Sequence, residues 1–310
     1  MVRNVFSYGD LFQTKPVKYI KSPLNYVGGK YKLLPQLIPL FPHRIEIFAD
    51  LFVGGCNVAV NVPAKQYLCN DLNTPIIELF KVFQSTPVSS ILEHIDGNIQ
   101  RYHLTKQNEE GFLALRAYYN DTRHPLDFYT LTCYSFNYQF RFNAHMEYNN
   151  PFGRDRSHFS DRMRKNLIAF TTRLQEVDMK FISQNFRDIS LDGFTPADFL
   201  YCDPPYLIAS GTYNDGMKGF TDWNQEHEMA LYDYLDRADA RGLRFALSNA
   251  LSRKGKENEL LRRWCRKYRV IDLFPKNAQT GYPMNKQENR EVLIVNYGVD
   301  NGNFITPPLF

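Results

Sequence analysis

Four consecutive residues carry the strongest chemical signal in the sequence: Asp203, Pro204, Pro205 and Tyr206. They directly follow Phe199–Cys202, an apolar run that is typical of a buried strand. Two prolines fix two φ angles and remove two N–H donors, so the turn presents a carboxylate, bare carbonyl oxygens and an aromatic ring. Such a turn could accept hydrogen bonds from an amino group while the ring stacks on a flat base. The alternative is a rigid strand-to-loop turn with Tyr206 in the core.

Two glycine-containing segments nearer the start of the chain could bind a ligand through their backbone. One is the Asp-Leu-Phe-Val-Gly-Gly stretch that begins at Asp50, and the other is the Asn-Tyr-Val-Gly-Gly-Lys stretch that ends at Lys30. Glycine lets a ligand approach the backbone closely, and Lys30 could reach a ligand carboxylate as a compact cation. A plain turn is the alternative for each segment taken alone. The sequence lacks the Gly-x-Gly-x-x-Gly and Gly-x-x-x-x-Gly-Lys-Ser/Thr motifs of ordinary dinucleotide and phosphate-loop sites.

A further acidic residue follows another candidate strand. Asp71 comes after Tyr67–Cys69 and about twenty residues beyond Asp50, which is the offset at which Rossmann-like sites hold ribose hydroxyls. A helix-capping role is the alternative, because a helix is expected to begin here. Thr74 has the residue type of an N-cap and Pro75 that of a first helical position.

Alternating strands and helices must position these groups. Glu226–Ala240 reads as a helix between two apolar runs of strand length. Such alternation implies an α/β fold with a mainly parallel sheet, covered on both faces, and with ligand-binding groups at the carboxyl ends of its strands. The predicted strands are Ile45–Phe52, Tyr67–Cys69, Lys180–Ile182, Asp198–Cys202, Leu243–Leu247, Val270–Leu273 and Val292–Val295.

The middle of the chain interrupts this alternation and is rich in Tyr, Phe, Asn and Arg. We therefore expect residues 1–83 and 176–310 to form one catalytic domain and residues 84–175 to form an insertion. The insertion is basic from residue 141 to 173, and its basic residues are interleaved with aromatic ones. Basic side chains bind phosphates and arginine commonly reads guanine, so this region is a candidate DNA-binding surface.

Not every basic residue is expected to read a base. A solvated face or a phosphate contact is the favoured role for Arg162, Arg164 and Lys165. A second basic run extends from Arg253 to Arg269. We interpret it as an exposed helix face that is either solvated or touches the DNA backbone.

Composition excludes several classes of protein. The chain has 310 residues, of which 44% are hydrophobic and 23% charged, which is typical of a globular domain. We expect neither a signal peptide nor a membrane-spanning segment. The five cysteines lie far apart, so we expect no disulfide framework, no structural zinc site and a reducing, cytoplasmic setting. The net charge of +4 does not by itself indicate a polyanionic partner.

Taken together and in this order, the motifs resemble those of the α-group of N6-adenine DNA methyltransferases, the Dam-like or D12 class. The motifs are the Gly-Gly-Lys sequence that ends at Lys30, the Asp-x-Phe-x-Gly sequence that begins at Asp50, the Asn-Asp pair that ends at Asp71 and the Asp-Pro-Pro-Tyr box that begins at Asp203. The resemblance extends from about residue 23 to residue 297. It implies a Rossmann-like, S-adenosylmethionine-dependent methyltransferase sheet. It also implies an inserted, mainly helical target-recognition region that carries a β-hairpin.

The resemblance also implies which residues bind the methyl donor. Lys30 would contact its methionine carboxylate, Asp71 its ribose hydroxyls and Phe186 its adenine. Tyr26 stands where the family commonly has Trp, and Asn185 stands where it often has Asp or Ser. The other implied cofactor-binding positions are Tyr26, Gly28, Gly29, Asp50, Phe52, Gly54, Gly55 and Asp203.

The implied reaction is transfer of a methyl group to the N6 amino group of adenine in a specific double-stranded DNA sequence. Asp203 and the carbonyl of Pro204 would accept the two amino hydrogens, which localises the nitrogen lone pair and stabilises the developing positive charge. The target base must leave the duplex, and Tyr206 would stack on it. Pro205 completes the catalytic box, and neither a metal ion nor a covalent enzyme intermediate is expected.

Residues 136–143 and 149–154 resemble the recognition hairpin of the Dam-like enzymes. By that resemblance Asn137 would help to occupy the space at the target site and Arg141 would contact a base. Tyr138 stands where relatives commonly have glycine, so a recognition sequence other than GATC is open alongside GATC. The implied DNA-binding residues are Asn137, Arg141, Asn143, Pro151 and Arg154.

Two other interpretations stay open. The first is another methyltransferase, because the same Asp-Pro-Pro-Tyr chemistry would serve methylation of N4 of cytosine or of an RNA adenine. The second is a DNA-binding relative that has lost catalysis, although the intact Asp203, Lys30 and Asp71 argue against it. We expect a bacterial or phage-encoded monomer. Its role could be restriction–modification beside a separate cognate endonuclease, phage protection or host-strand marking.

Overall fold

The computed structural model describes residues 18–208, 223–273 and 289–299. Its strands are β1 (Ile47–Asp50), β2 (Gln66–Asn70), β3 (Asp178–Ile182), β4 (Phe199–Cys202), β5 (Arg244–Arg253), β6 (Lys256–Glu257), β7 (Arg269–Leu273) and β8 (Asn289–Val295). They form one sheet in the order β3-β2-β1-β4-β5-β8-β7, with β6 paired to β5. The first five strands in that order run parallel, and β8 is antiparallel to both β5 and β7.

The parallel register aligns the ends of three strands. Asp50 at the end of β1 pairs with Tyr201 of β4, and Asp203 follows β4 directly. Asn70, the last residue of β2, donates its side-chain N–H to the carbonyl oxygen of Leu51 at 3.0 Å. Because carboxyl ends of parallel strands share one edge, the glycine-containing stretch and the Asp-Pro-Pro-Tyr turn meet there.

The sheet separates two apolar cores, because successive residues of a strand point to opposite faces. In β1, Phe48 belongs to one core and Ala49 to the other. In β4, Phe199 and Leu200 divide in the same way. Burial on both faces explains why these strands read as continuous apolar runs in the sequence rather than as alternating patterns.

Helices cover both faces of the sheet and build most of the middle of the chain. Three of the longer ones follow a residue whose side-chain oxygen accepts an N–H of the first turn, namely Asn108, Ser160 and Asn224. The described α-helices are α1 (Leu34–Leu37), α2 (Thr74–Ser85), α3 (Val88–Arg101), α4 (Glu109–Thr122), α5 (Pro125–Tyr134), α6 (Asp161–Glu176), α7 (Gln225–Ala240) and α8 (Glu259–Trp264).

The predicted α/β fold with a mainly parallel sheet is confirmed, but several boundaries differ. The run Ile45–Phe52 is too long, because the chain turns into the glycine loop after β1 ends. The run Leu243–Leu247 is too short, because β5 continues beyond β4 to pair with β8. The prediction of Thr74 as N-cap is wrong by one residue, since Asn73 is the N-cap and Thr74 begins α2.

The prediction of one exposed helix face from Arg253 to Arg269 is wrong. The segment contains the end of β5, a turn, β6, α8, a short 3-10 turn at Cys265–Lys267 and the start of β7. In the turn, Lys254 and Gly255 have φ angles of 49° and 75°, which a right-handed helix cannot contain. The basic side chains of this run therefore lie on several elements.

The middle region is mainly helical, with α3, α4, α5 and all of α6 except its last residue. The expected β-hairpin between α5 and α6 takes an irregular form. Two isolated antiparallel bridges join Ser135 to Phe152 and Phe142 to Tyr148. The region's division from the sheet into a separate domain stays a prediction.

The middle region shares one core with the sheet through α2. The ring of Phe83 lies 5.5 Å from Tyr129 of α5 and 6.4 Å from Phe170 of α6. Phe80, one turn earlier, lies 5.7 Å from Phe170 and 5.3 Å from Phe181 of β3. Because one aromatic cluster joins both parts, we expect them to unfold together.

The length of the helices and the burial of the cysteines bear on the predicted membrane and disulfide properties. Within the described residues, no helix is both long and apolar enough to cross a bilayer. All five cysteines are buried and have free thiols. Burial raises the pKa of the Cys69 and Cys202 thiols well above the ordinary value, which makes both poor nucleophiles.

We expect Phe83→Ala to lower the free energy of unfolding by about 3–5 kcal/mol, because it removes a fully buried ring from the junction of α2, α5 and α6. Urea unfolding should be measured by circular dichroism and by near-ultraviolet absorbance of the aromatic residues. The two probes should report a single coincident transition in the wild type. Two separated transitions would show that the sheet and the middle region do not share a cooperative core.

Candidate active site

A cavity of about 840 Å³ lies at the carboxyl edge of β1, β2 and β4, within the range of roughly 300–1,000 Å³ that is usual for ligand pockets. It brings together every position that the sequence analysis assigned to catalysis or to the methyl donor, while their roles stay predictions. These lining positions are Tyr26, Gly28, Gly29, Lys30, Asp50, Phe52, Gly54, Gly55, Asp71, Phe186, Asp203, Pro204, Pro205 and Tyr206.

Lys30 and Asp203 form the central ion pair of this pocket. The ammonium nitrogen of Lys30 lies 2.7 Å from a carboxylate oxygen of Asp203, and the side chains are only 5% and 17% exposed. The same nitrogen donates to the carbonyl oxygen of Gly28 at 3.1 Å. The segment near the start of the chain therefore contacts the Asp-Pro-Pro-Tyr turn directly.

The charge of Asp203 reflects competing neighbours. Burial raises its pKa to about 6, and the ammonium of Lys30 opposes that rise. The carboxylate of Glu291 raises the pKa further, and the hydrogen bond from Tyr206 lowers it. A carboxyl group with this pKa changes charge just below neutral pH.

Sequence reasoning missed Glu291, although it lies in the centre of the site. The hydroxyl of Tyr206 donates to Glu291 at 2.8 Å and to Asp203 at 3.2 Å. Lys30 lies 3.5 Å from Glu291. The residue sits on β8, which returns antiparallel beside β5. A lone glutamate just before the predicted strand Val292–Val295 gives no signal of this placement.

Asp50 and Asp71 are the other two carboxyl groups of the pocket, and both are almost fully buried. Burial, and next the carboxylate of Asp203, raise the pKa of Asp50 well above its ordinary value. Asp71 accepts the backbone N–H of Gly54 at 2.8 Å and of Asn73 at 2.9 Å. It therefore supports the glycine loop and the entry to α2, while it also faces the cavity.

The glycine loop needs glycine at one position in particular. Gly54 has a φ of 47°, and a Cβ atom there would lie 3.1 Å from the ring of Tyr26. The aromatic ring of Tyr26 thus packs directly on the backbone of the loop. Its other side approaches Phe140 of the middle region, with ring centroids 5.8 Å apart.

Three aromatic rings form a cluster on the pocket wall: Phe52, Phe186 and Trp223. Phe52 lies 5.4 Å from Phe186 and 5.6 Å from Trp223, and Phe186 lies 5.9 Å from Trp223. The resemblance had pointed to Phe52 and Phe186. Trp223 was missed because it lies far along the chain, just before α7.

A fully buried carboxylate holds Trp223 in this position. Glu228 accepts the indole N–H of Trp223 at 2.5 Å and the hydroxyl of Tyr232 at 2.6 Å. It also accepts side-chain N–H groups of Asn249 at 2.9 Å and Asn258 at 3.0 Å. Four donors satisfy this buried acceptor, as a buried charge requires.

The middle region reaches the pocket through the residues around Asn137. The carbonyl oxygen of Asn137 accepts the side-chain N–H of Asn25 at 2.8 Å, and Gln139 lines the cavity. Asn137 and Tyr138 have φ angles of 56° and 57°. Two successive non-glycine residues in the left-handed region are strained, and such strain concentrates at functional sites.

Arg141 lies beside this turn but outside the cavity lining, and its guanidinium is held in place. It donates to the side-chain oxygen of Asn149 at 2.9 Å and to the carbonyl oxygen of Asn149 at 3.1 Å. A guanidinium fixed by two bonds retains further N–H groups for a ligand. Asn149 is thus a positioning residue that the sequence did not single out.

The other residues assigned to DNA also lie outside the cavity lining and have internal partners. Asn143 donates to the carboxylate of Glu147 at 2.7 Å, and the carbonyl oxygen of Pro151 accepts the N–H of Phe136 at 2.8 Å. Two arginines form ion pairs at 2.5 Å, namely Arg154 with Glu109 and Arg164 with Asp96.

One cluster outside the pocket has the residue types of a metal site: His94, His124 and Asp127. His94 makes a 2.7 Å hydrogen bond to Asp127, and the two imidazole rings stack with centroids 4.6 Å apart. Asp127 also accepts a side-chain N–H of Asn98 at 2.6 Å. These bonds join α3 to α5, which accounts for the cluster without a metal.

Comparison with known proteins gives a family match over most of the chain. A family model described as D12 class N6 adenine-specific DNA methyltransferase matches residues 26–278. The matched range includes the glycine-containing segments, the middle region and the Asp-Pro-Pro-Tyr turn.

Several curated proteins are similar to this chain. Type II methyltransferase M.FokI of Planomicrobium okeanokoites is 50% identical over 91% of this chain and 44% of its own length. Modification methylase StsI of Streptococcus sanguinis is 49% identical over 93% of this chain and 44% of its own length. The DNA adenine methylase of Salmonella typhi is 28% identical over 62% of this chain and 66% of its own length. The chain therefore spans less than half the length of the first two relatives.

We expect Glu228→Gln to lower the free energy of unfolding by about 1–3 kcal/mol, because an amide turns an N–H toward donors that need an acceptor. It should also shift the fluorescence of Trp223 to the red as the indole loses its partner. Replacing Trp264 by Phe leaves Trp223 as the single tryptophan. An unchanged emission maximum in that background would contradict the role of Glu228 in holding the indole.

Proposed function

The chain belongs to the D12 class of N6 adenine-specific DNA methyltransferases, and on that basis we propose that it methylates the N6 amino group of adenine in double-stranded DNA. S-adenosylmethionine is the proposed methyl donor. The observation that carries the proposal is the Lys30–Asp203 pair. It joins the family's Gly-Gly-Lys segment to a carboxylate and a bare proline carbonyl at the mouth of an aromatic pocket.

The chemical groups of the cavity fit the proposed donor. Lys30 offers a cation for a carboxylate, the buried Asp50 offers a partner for an ammonium group, and Asp71 faces the cavity beside the glycine loop. The cluster of Phe52 and Trp223 with Phe186 offers aromatic faces for an adenine. When bound, the donor supplies an electrophilic methyl group on a sulfonium centre.

The proposed catalytic step uses acceptors only. An adenine amino nitrogen is a poor nucleophile because its lone pair is delocalised into the ring. Asp203 as a carboxylate and the carbonyl of Pro204 accept its two hydrogens, which localises that pair and stabilises the positive charge that develops on the nitrogen. The prolines hold both acceptors in one orientation before the base arrives, so little reorganisation is needed in the transition state.

The target adenine must be extruded from the duplex to reach Asp203. Tyr206 is almost fully buried and lines the cavity beside that carboxylate, which supports its proposed role of stacking on the extruded base. Asn137 and the left-handed Tyr138 form an exposed turn linked to the pocket through Asn25. This turn is the proposed element that enters the space left by the base.

Residues 84–175 are the proposed target-recognition part of the enzyme, inserted between residues 1–83 and 176–310 of the catalytic part. Arg141 is its proposed base reader, because Asn149 already orients the guanidinium. The exposed Arg162 and Lys165 at the start of α6 are proposed phosphate contacts. Arg164 is a weaker candidate, since Asp96 already pairs with it.

The relatives' names support a place in DNA modification. Two of them are named a type II methyltransferase and a modification methylase. We propose that this protein likewise marks a DNA sequence, with a separate restriction endonuclease as the cognate partner and a single chain as the working unit.

The test of the proposal is the identity of the methylated base. DNA and, separately, RNA incubated with the protein and labelled S-adenosylmethionine should be digested to nucleosides, and the label should appear in N6-methyl-2′-deoxyadenosine from DNA. Label in N4-methylcytosine alone, or in RNA alone, would replace the proposal by that activity. Binding of DNA and donor without any transfer would indicate a relative that has lost catalysis.

We expect the wild type to lose kcat/KM as the pH falls through about 6, because protonation of Asp203 removes an acceptor. Asp203→Ala should lower kcat by at least about 10²–10³-fold. Its affinity for DNA should stay close to that of the wild type, since the basic surface is unchanged. A folded Asp203→Ala protein that no longer binds DNA would contradict this assignment.

We expect Arg141→Ala to relax discrimination at one base pair by about 1–3 kcal/mol. Asn149→Ala should produce part of the same effect, because it releases the guanidinium. Arg162→Ala is the contrasting variant: it should weaken binding to all sequences alike and reduce the salt slope by about one. Competition binding to duplexes with single base-pair changes, at several salt concentrations, separates these outcomes. Unaltered discrimination in Arg141→Ala would remove Arg141 as the base reader.

A further inference from the structure

Glu291 has a position that none of the family motifs explains. It lies on β8 opposite Leu273 of β7 and Ala250 of β5, and its side chain lines the cavity at 30% exposure. The adjacent Arg290 is bound instead to Asp272, at 2.6 Å. Both residues line the cavity, but only Glu291 contacts Lys30 and Tyr206, because Arg290 is paired with Asp272 of β7.

Two hydrogen-bonding groups connect Glu291 to the proposed acceptor Asp203. The phenol of Tyr206 has a single proton and two carboxylate partners, and the distance to Glu291 is the shorter, at 2.8 Å against 3.2 Å. The ammonium of Lys30 also lies between the two carboxylates, at 2.7 Å from Asp203 and 3.5 Å from Glu291. It further lies 5.1 Å from the centroid of the Tyr206 ring.

We propose that Glu291 is a positioning residue of the methyl-transfer site: it fixes the ring of Tyr206 through its hydroxyl and shares Lys30 with Asp203. This inference rests on the proposed function, because it assigns Glu291 a task in that same reaction. A ring that stacks on an extruded base must keep one orientation, and Tyr206 can pivot about its side-chain torsions unless its far end is held. Glu291 holds that far end.

Sharing of Lys30 has a second consequence. If Asp203 alone paired with Lys30, that ion pair would weaken Asp203 as an acceptor for an amino group. A second carboxylate competes for the cation, which leaves Asp203 more basic and Lys30 more readily drawn to an incoming carboxylate. The site then contains two carboxylates around one ammonium, so Lys30 cannot neutralise both, and Asp203 in its ionised form keeps more of its strength as a hydrogen-bond acceptor.

Among the described residues, several charged or titratable groups act on Asp203 or respond to its charge. Lys30 comes from the segment before α1 and lowers the pKa of Asp203. Glu291 of β8 raises it, and Tyr206 of the same turn lowers it by hydrogen bonding. Asp50 of β1 and Tyr201 of β4 lie close enough for Asp203 to raise their pKa values in turn. Glu291 and Tyr206 therefore act on Asp203 in opposite directions.

Because Glu291 raises and Tyr206 lowers the pKa of Asp203, removing either group should shift the pH dependence of the reaction in opposite directions. Initial rates of labelled methyl transfer to DNA should be measured from pH 5 to pH 9 for the wild type, Glu291→Gln and Tyr206→Phe. Glu291→Gln keeps the shape and an acceptor oxygen but removes the charge, so the acidic limb of kcat/KM should move to lower pH by roughly one unit. Tyr206→Phe keeps the ring but removes the donor, so the limb should move to higher pH and kcat should fall.

Two further variants separate this role from a structural one. Glu257→Gln makes the same chemical change on the exposed β6, where Glu257 pairs with Arg262 at 2.9 Å, and it should leave the limb in place. Glu291→Asp keeps the charge on a shorter side chain, so it should keep the wild-type limb while kcat falls.

The outcomes separate the role of Glu291 from the proposed function. An acidic limb that stays in place in folded Glu291→Gln, with an active wild type, overturns the role of Glu291 and leaves the proposed function standing. If Glu291→Gln does not fold, Glu291→Asp decides: an unchanged kcat overturns the proposal, and a fall in kcat with the wild-type limb supports it. A wild type that transfers no methyl group overturns both.

Discussion

The meeting of Lys30 with Asp203 is the contact on which the rest of the site depends. It joins a segment near the start of the chain to a turn after the fourth strand, and both charges are largely removed from water. A buried ion pair is maintained only when its partners are held accurately. Three features hold these two charged groups in place: the parallel register of β1 with β4, the glycine loop under Tyr26 and the two prolines after Asp203.

The same register explains why one pocket can combine two tasks. The ends of β1 and β2 supply the carboxyl groups of Asp50 and Asp71, and the end of β4 supplies Asp203. The aromatic cluster of Phe52, Phe186 and Trp223 closes one side of the cavity. The middle region reaches the pocket through the bond between Asn25 and Asn137. In the proposed reaction, the donor and the target base would therefore occupy one continuous pocket, which direct transfer requires.

Sequence reasoning predicted the groups that follow parallel strands, because strand ends in such a sheet share an edge and leave a short motif behind. It did not predict Glu291 or Glu228, whose positions depend on an antiparallel return strand and on the packing of α7 against β5. It also could not predict that Arg154 and Arg164 are paired with carboxylates, since those partners lie on α4 and α3. Residue type indicates which groups could act, whereas long-range packing decides which of them face the site.

The most direct test of the account is a structure of the protein bound to a methylatable duplex and to S-adenosylhomocysteine, the demethylated donor. We expect an extruded adenine whose N6 atom lies about 3 Å from both the Asp203 carboxylate and the Pro204 carbonyl oxygen. The ring of Tyr206 should lie against the base. An adenine that remains stacked in the duplex in an active complex, or an extruded base bound away from Asp203, would contradict it.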